Sequence, residues 1–435
     1  YTSDELNIIE TPFYYDAHSH EPRYYQRIAV DRTVEAIARG QQRVLVVMAT
    51  GTGKTFTAFQ IIHRLHKSGA KKKILYLADR NVLIDQTMVQ DFKPFKKQGI
   101  ITKIISPKEG EAKINSAFEV YMALYHQLVG KEGKPDPFLE VQPNFFDLII
   151  VDEVSMLGLE LASFLLSAIK NQAVLILVGD KDQLPSVDYG NILADFIGCG
   201  LIETYYLTEV MRQHGTILDN SQLINHGSSA LKQDKTFQVR NFCSMENAVE
   251  DIKKMHIDTD RVQYLSTVKK DNLGTHAINK YSQQNKNGKC IYYGKNRYFV
   301  GDRIIMTKTN YDRNYINGDV GIITDIREKS IIANFDGKIL ALDTQDFFYM
   351  DLAYCVTIHK SQGSEFDYVI VLLPDAANGM LTRRILYTAV TRAKKALIVY
   401  NVNHSMEHAI SNQEERKRIS LLTCRVKTKK KGETL

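Results

Sequence analysis

The chain has 435 residues, 44% of them hydrophobic and 24% charged, and carries a formal net charge of +6. Such a length allows two or three domains with substantial cores, and such a composition is ordinary for a soluble globular protein. No apolar run is long enough to cross a membrane, so no membrane partner is expected, and the mild basic excess permits a groove for an acidic polymer without requiring one.

The polar N-terminus does not look like a secretion signal. The chain begins at Tyr1, as expected of a fragment or a processed chain. Five cysteines (Cys199, Cys243, Cys290, Cys355 and Cys424) are scattered, with no CxxC or Cys/His cluster at metal spacing. That argues against a disulfide framework or a zinc site and suits a reducing, cytoplasmic location.

Residues 1–22 are polar and aromatic and form a lead-in. From 23 to 206 short apolar strands at 43–48, 74–78, 148–152 and 174–179 alternate with helical stretches. This alternation predicts an α/β domain with a parallel sheet, whose ligands bind in the loops after the strand C-termini. A second α/β domain starts at 207, with a strand at 261–268 and a helix near 272–284, and is expected to run to 291. Residues 292–346 hold short strands with Gly301-Asp302, Asn317-Gly318-Asp319 and Asp336-Gly337 turns, which predict a small inserted barrel. The α/β pattern resumes over 347–410, and 411–435 is a basic tail ending in Lys427-Thr428-Lys429-Lys430-Lys431, expected to be solvated.

Met48-Ala49-Thr50-Gly51-Thr52-Gly53-Lys54-Thr55 lies between a strand and a helix and reads as a phosphate-binding loop. Backbone N–H groups of Thr50, Gly51, Thr52 and Gly53 would cradle phosphate oxygens of ATP, with Lys54 on the β- and γ-phosphates and the Thr55 hydroxyl on Mg²⁺. Met48 replaces the first glycine of the general pattern. Asp152 and Glu153, expected at the end of a neighbouring strand, supply a metal ligand and a general base for the attacking water respectively. Gln183, in Gly179-Asp180-Lys181-Asp182-Gln183-Leu184-Pro185, follows the next strand and could orient the γ-phosphate or the water. Arg212 and Arg392 are planar cations suited to the charge that spreads over the γ-phosphate during transfer. Were both to come from the second α/β domain, hydrolysis would depend on domain closure.

These motifs resemble those of superfamily 1 helicases, most closely the RecD-like 5′-to-3′ branch. The likeness runs from about 150 to 400 and includes Val151-Asp152-Glu153-Val154-Ser155-Met156, Leu207-Thr208-Glu209-Val210-Met211-Arg212-Gln213, Thr357-Ile358-His359-Lys360-Ser361-Gln362-Gly363 and Tyr387-Thr388-Ala389-Val390-Thr391-Arg392. The resemblance implies two RecA-like P-loop NTPase domains, with an SH3-like β-barrel inserted in the second. It also implies γ-phosphate contacts from Gln183, Arg212 and Arg392, a ribose contact from Glu365, and a DNA track near His359, Ser361 and Gln362. In the barrel, Lys308, Tyr311, Arg313, Tyr298 and Tyr315 are candidates for gripping a strand by cationic contact and base stacking.

Residues 1 to about 150 resemble a different family. Arg23-Tyr24-Tyr25-Gln26, the 48–55 loop and Leu77-Ala78-Asp79-Arg80-Asn81-Val82-Leu83 look like the first motor domain of type I restriction HsdR subunits, a superfamily 2 translocase. That resemblance implies that Gln26 reads adenine. The chain therefore reads as a mosaic of the two families joined at the acidic motif. The expected activity is an ATP-driven translocase or helicase on single-stranded DNA or a single/double-strand junction, within a larger DNA repair, recombination or restriction complex. The alternative is a restriction motor fragment pumping duplex DNA.

Overall fold

A computed structural model describes the chain except residues 17–20, 80–83, 85–86, 89, 105–113, 126–143, 170–171, 208–214, 256–260, 285, 295, 311–312, 336, 376–380, 414–421 and 424–435. The chain divides into two compact units, residues 1–212 with 416–435, and residues 213–415.

The first unit is built on strands β1 (Arg43–Met48), β2 (Ile74–Ala78), β3 (Ile101–Lys103), β4 (Val120–Leu124), β5 (Leu148–Val151), β6 (Val174–Gly179) and β7 (Glu203–Leu207). All pairings are parallel, in the order β3-β4-β2-β5-β6-β1-β7. The central strands read as unbroken apolar runs because both of their faces are covered. On one face Leu45, Leu75, Val151 and Leu177 pack with Ala162, Leu165, Ile192 and Leu193 from the helices Leu159–Ala168 and Ile192–Cys199. On the other, Phe59 of the helix Lys54–Lys67 meets Phe92 and Phe95, and Phe92 meets Tyr76 of β2.

Two expectations are corrected here. The phosphate-loop strand and the acidic-motif strand are not neighbours, because β6 lies between β1 and β5. The C-terminal stretch is not wholly a solvated tail. Leu422 packs against the first unit's core, and the Thr423 hydroxyl donates to the Asp195 carbonyl at 3.2 Å.

The second unit has a parallel sheet of β8 (Phe237–Phe242), β9 (Val262–Ser266), β17 (Cys355–Thr357), β18 (Phe366–Leu373) and β19 (Ala393–Val402), ordered β17-β9-β18-β19-β8. Between β9 and β17 the chain makes a hairpin, β10 (Cys290–Tyr293) with β11 (Asn296–Phe299). It then makes an antiparallel sheet of β12 (Arg303–Met306), β13 (Val320–Ile326), β14 (Ser330–Phe335), β15 (Lys338–Asp343) and β16 (Met350–Leu352). Tyr298, Ile304, Met306, Tyr315, Ile331 and Phe347 form one core for this inserted block. Tyr298 and Tyr315 are therefore core residues and cannot stack on bases as the sequence suggested. Their hydroxyls donate to the Met350 carbonyl and to Asp346, both at 2.8 Å.

Buried Asp302 fastens the block to the α/β layer. It accepts from Gln283 Nε2 at 2.5 Å, the Phe299 N–H at 2.8 Å and the Tyr354 hydroxyl at 2.7 Å, and pairs with Lys286 at 3.2 Å. No described helix is long and apolar enough to cross a membrane.

Candidate active site

The phosphate loop leaves β1 at buried Met48 and turns through Gly51 and Gly53, whose φ angles are 77° and 81°. Gly53 caps the helix Lys54–Lys67, so the first-turn N–H groups have no intrahelical acceptors and form an anion-binding end. A Cβ on Gly53 would lie 2.5 Å from Gln26 Nε2. That amide braces the loop, donating to the Thr52 carbonyl at 2.8 Å, while Gln26 Oε1 accepts from the Arg23 N–H at 2.9 Å. The loop's other edge is held by Asp180, which accepts from the Thr50 N–H at 2.8 Å and the Thr50 hydroxyl at 2.9 Å. Gln183 Nε2 donates to the same hydroxyl. Asp180 lies in the polar turn that sequence reasoning marks for Gln183 alone. Its one signal is the residue type directly after β6, the strand that proves adjacent to the phosphate-loop strand.

Asp152 and Glu153 follow β5. Asp152 is buried, with Oδ2 accepting from the Tyr76 hydroxyl at 2.5 Å and Oδ1 from the Glu153 N–H at 2.8 Å. Lys54 Nζ lies 2.8 Å from Glu153 Oε1, so the lysine of the loop and the proposed base meet directly. Burial alone would lower the Lys54 ammonium, but Glu153, Asp180 and Asp152 outweigh it and raise it. Burial, then Glu153, pushes the Asp152 carboxyl up to about 6 against the pull of Lys54.

Among the described residues, the three carboxylates acting on Lys54 thus outnumber it, which is the environment a divalent cation relieves. Among the described residues, Lys54 Nζ makes no hydrogen bond beyond its ion pair with Glu153, and Glu153 Oε2 and Gln183 Oε1 are buried without hydrogen-bond partners. Buried polar groups are normally paired, so this set fits phosphate oxygens, a cation and water. Thr55 and Asp152 could hold the metal.

In the second unit, Arg392 and Glu365 sit at the start of the β18–β19 pair, where the Phe366 N–H donates to the Arg392 carbonyl at 2.8 Å. Arg392 is 2% exposed and donates to the carbonyls of Ser364 and Thr388, each at 3.1 Å. Glu365 pairs with Lys394 at 3.2 Å. His359 is exposed, whereas Ser361 and Gln362 are buried and the Ser361 hydroxyl donates to the Ile358 carbonyl at 2.8 Å. Lys308 lies over the Tyr349 ring at 4.7 Å. Arg313 is paired with both Asp343 and Asp346, which leaves it little net attraction for phosphate. Arg212 and Tyr311 lie outside the described residues.

A cavity of about 730 Å³ opens in this unit between the helix Thr275–Ser282, the β10–β11 hairpin and β16–β17. Lys269, Lys280, Arg297 and Lys360 line it, with Asp351 as the carboxylate among the lining residues. Burial lowers the Lys360 ammonium, and neighbouring Lys269 adds to this despite Asp351. Sequence reasoning missed this basic lining because its members come from separate elements. The adjacency of Lys360 to His359 was the one available signal.

The family described as Type III restriction enzyme, res subunit, matches residues 19–177, and the UvrD-like helicase C-terminal domain matches residues 352–400. The Type I restriction enzyme EcoAI endonuclease subunit of Escherichia coli is 50% identical over 153 residues, covering 35% of this chain and 18% of that protein. The ATP-dependent RecD2 DNA helicase of Deinococcus radiodurans is 30% identical over 306 residues, covering 68% of this chain and 42% of that protein. The chain therefore spans less than half the length of either relative. Among solved structures, Pif1 helicases on forked double-stranded DNA share a TM-score of 0.54 at 18% identity, covering 95% of this chain and 98% of that one. Bacteroides Pif1 bound to single-stranded DNA gives 0.51 at 16% identity, covering 95% and 99%. These likenesses support a fold of two RecA-like domains, and the sequence matches bear out the mosaic of restriction-type and RecD-like segments.

Proposed function

We propose that the chain is the motor of an ATP-dependent DNA helicase that moves 5′ to 3′ along single-stranded DNA. The observation that carries this reading is the phosphate loop with Lys54 Nζ 2.8 Å from Glu153 Oε1 and Thr50 bound to Asp180. Lys54 and the loop N–H groups hold the triphosphate. Thr55 and Asp152 hold Mg²⁺, which when bound offsets the negative charge of the phosphate oxygens. Glu153 takes the proton of the attacking water, and Gln183 orients that water through Oε1, which has no hydrogen-bond partner among the described residues. Arg212 and Arg392 neutralise the γ-phosphate, and Glu365 contacts the ribose. Gln26 contacts adenine only by exchanging its hydrogen bonds to Thr52 and Arg23.

The strand lies in the basic cavity of the second unit, its phosphates on Lys269, Lys280, Arg297 and Lys360. Exposed Tyr292, also lining the cavity, offers a ring for a base. His359 and Lys308 are further contacts for the strand, and the antiparallel block acts as an SH3-like clasp. The RecBCD enzyme subunit RecD of Mycolicibacterium smegmatis is 29% identical over 304 residues, covering 62% of this chain and 52% of that protein, and its name supports a larger DNA complex around this chain.

One observation favours a second reading, a restriction motor that pumps duplex DNA: the 50% identity over 153 residues to a restriction subunit. Streptavidin displacement from biotinylated oligonucleotides, run beside triplex displacement from a duplex, separates the two. ATP-dependent release from the 3′ end of single strands supports the helicase reading. Triplex displacement without single-strand release supports the duplex pump and overturns it.

A further inference from the structure

Tyr76 is a residue that the nucleotide chemistry above does not use. It lies in the middle of β2, paired in register with Ile150 of β5, and Asp152 stands two residues beyond that partner. Alternate residues of a strand share a face, so the Tyr76 ring rises on the side covered by the phosphate-loop helix. There it packs edge-on against Phe92 with ring centroids 5.4 Å apart. Its hydroxyl donates to Asp152 Oδ2 at 2.5 Å. One buried phenol thus holds Asp152, the acidic-motif residue assigned to the metal.

We propose that Tyr76 is a positioning residue for the nucleotide's divalent cation, its hydroxyl fixing the Asp152 carboxylate in the arrangement that holds the metal. This rests on the nucleotide site proposed above. Asp152 Oδ1 is already fixed by the Glu153 N–H. The Tyr76 bond fixes the other oxygen, so the carboxylate plane is set before a cation arrives. Groups that orient metal ligands typically change metal affinity or activity about 10–100-fold when removed. A phenylalanine keeps the ring and its packing on Phe92 while removing only the orienting bond.

The test is equilibrium binding of a fluorescent, non-hydrolysable ATP analogue to the full chain during a Mg²⁺ titration, with a parallel measurement in EDTA. Tyr76→Phe is expected to raise the Mg²⁺ concentration for half-maximal binding by about tenfold or more, leaving affinity in EDTA unchanged. Phe92→Leu disturbs the same packing but keeps the hydroxyl, and is expected to leave the Mg²⁺ midpoint unmoved. A Tyr76→Phe midpoint equal to or below that of the unmodified chain overturns the proposal. An equal rise in Phe92→Leu also overturns it, since packing would then be the cause. If the unmodified chain binds the analogue with no metal dependence, the nucleotide-site reading falls and this proposal with it.

Discussion

Glu153 has φ 53° and ψ 44°, a left-handed conformation that costs a non-glycine residue about 1–2 kcal/mol. Such a backbone persists only where its surroundings enforce it, and here the side chain is held against Lys54 at 2.8 Å. The proposed role of this carboxylate is to take the proton of the attacking water. Glu153→Gln keeps the shape of the side chain and removes its basicity. It is expected to bind ATP and to lose at least about 100-fold in turnover, measured by phosphate release. Hydrolysis retained in that variant would remove Glu153 as the base. Lys54, Asp152 and Glu153 were legible because each stands in a local strand-loop pattern. Asp180 and Tyr76 were not, because their roles depend on partners 130 and 76 positions away. Distances of that kind are set by strand order, which local patterns do not carry.

At the scale of elements, the apolar runs at 43–48, 74–78 and 174–179 are strands with those bounds, because continuous burial needs continuous apolar sequence. Their order was less legible, and β6 separates the two strands expected to be adjacent. The inserted block was legible from its turns. Tyr298 and Tyr315 were misassigned because an aromatic residue on a short strand or in a loop can face either way, and both face inward. Asp302 shows what ties that block to its host layer. Removing one member of a buried charged network typically costs about 3–5 kcal/mol, because its partners remain buried and unpaired. Asp302→Ala is therefore expected to lower the melting temperature of the second unit's transition by roughly 6–20 °C, at about 2–4 °C per kcal/mol for a domain of this size. A shift of about 1–2 °C or less, on the order of a surface substitution, would show that the network is not the fastener.

At the scale of the molecule, two sequence histories share one chain, with a restriction-type match over 19–177 and a helicase-type match over 352–400. The acidic motif lies inside the first match, so the phosphate loop and the Asp152-Glu153 pair come from one continuous segment. That continuity accounts for the meeting of Lys54 with Glu153 inside the first unit. The basic cavity belongs wholly to the second. In the proposed motor, nucleotide hydrolysis in one unit answers to single-stranded DNA held by the other. Steady-state ATP hydrolysis by the full chain without DNA, with single-stranded DNA and with duplex DNA decides whether it does. Low turnover is expected alone, and strong stimulation by single strands, exceeding that by duplex. Turnover unaffected by single-stranded DNA, or stimulated only by duplex, would refute the coupling.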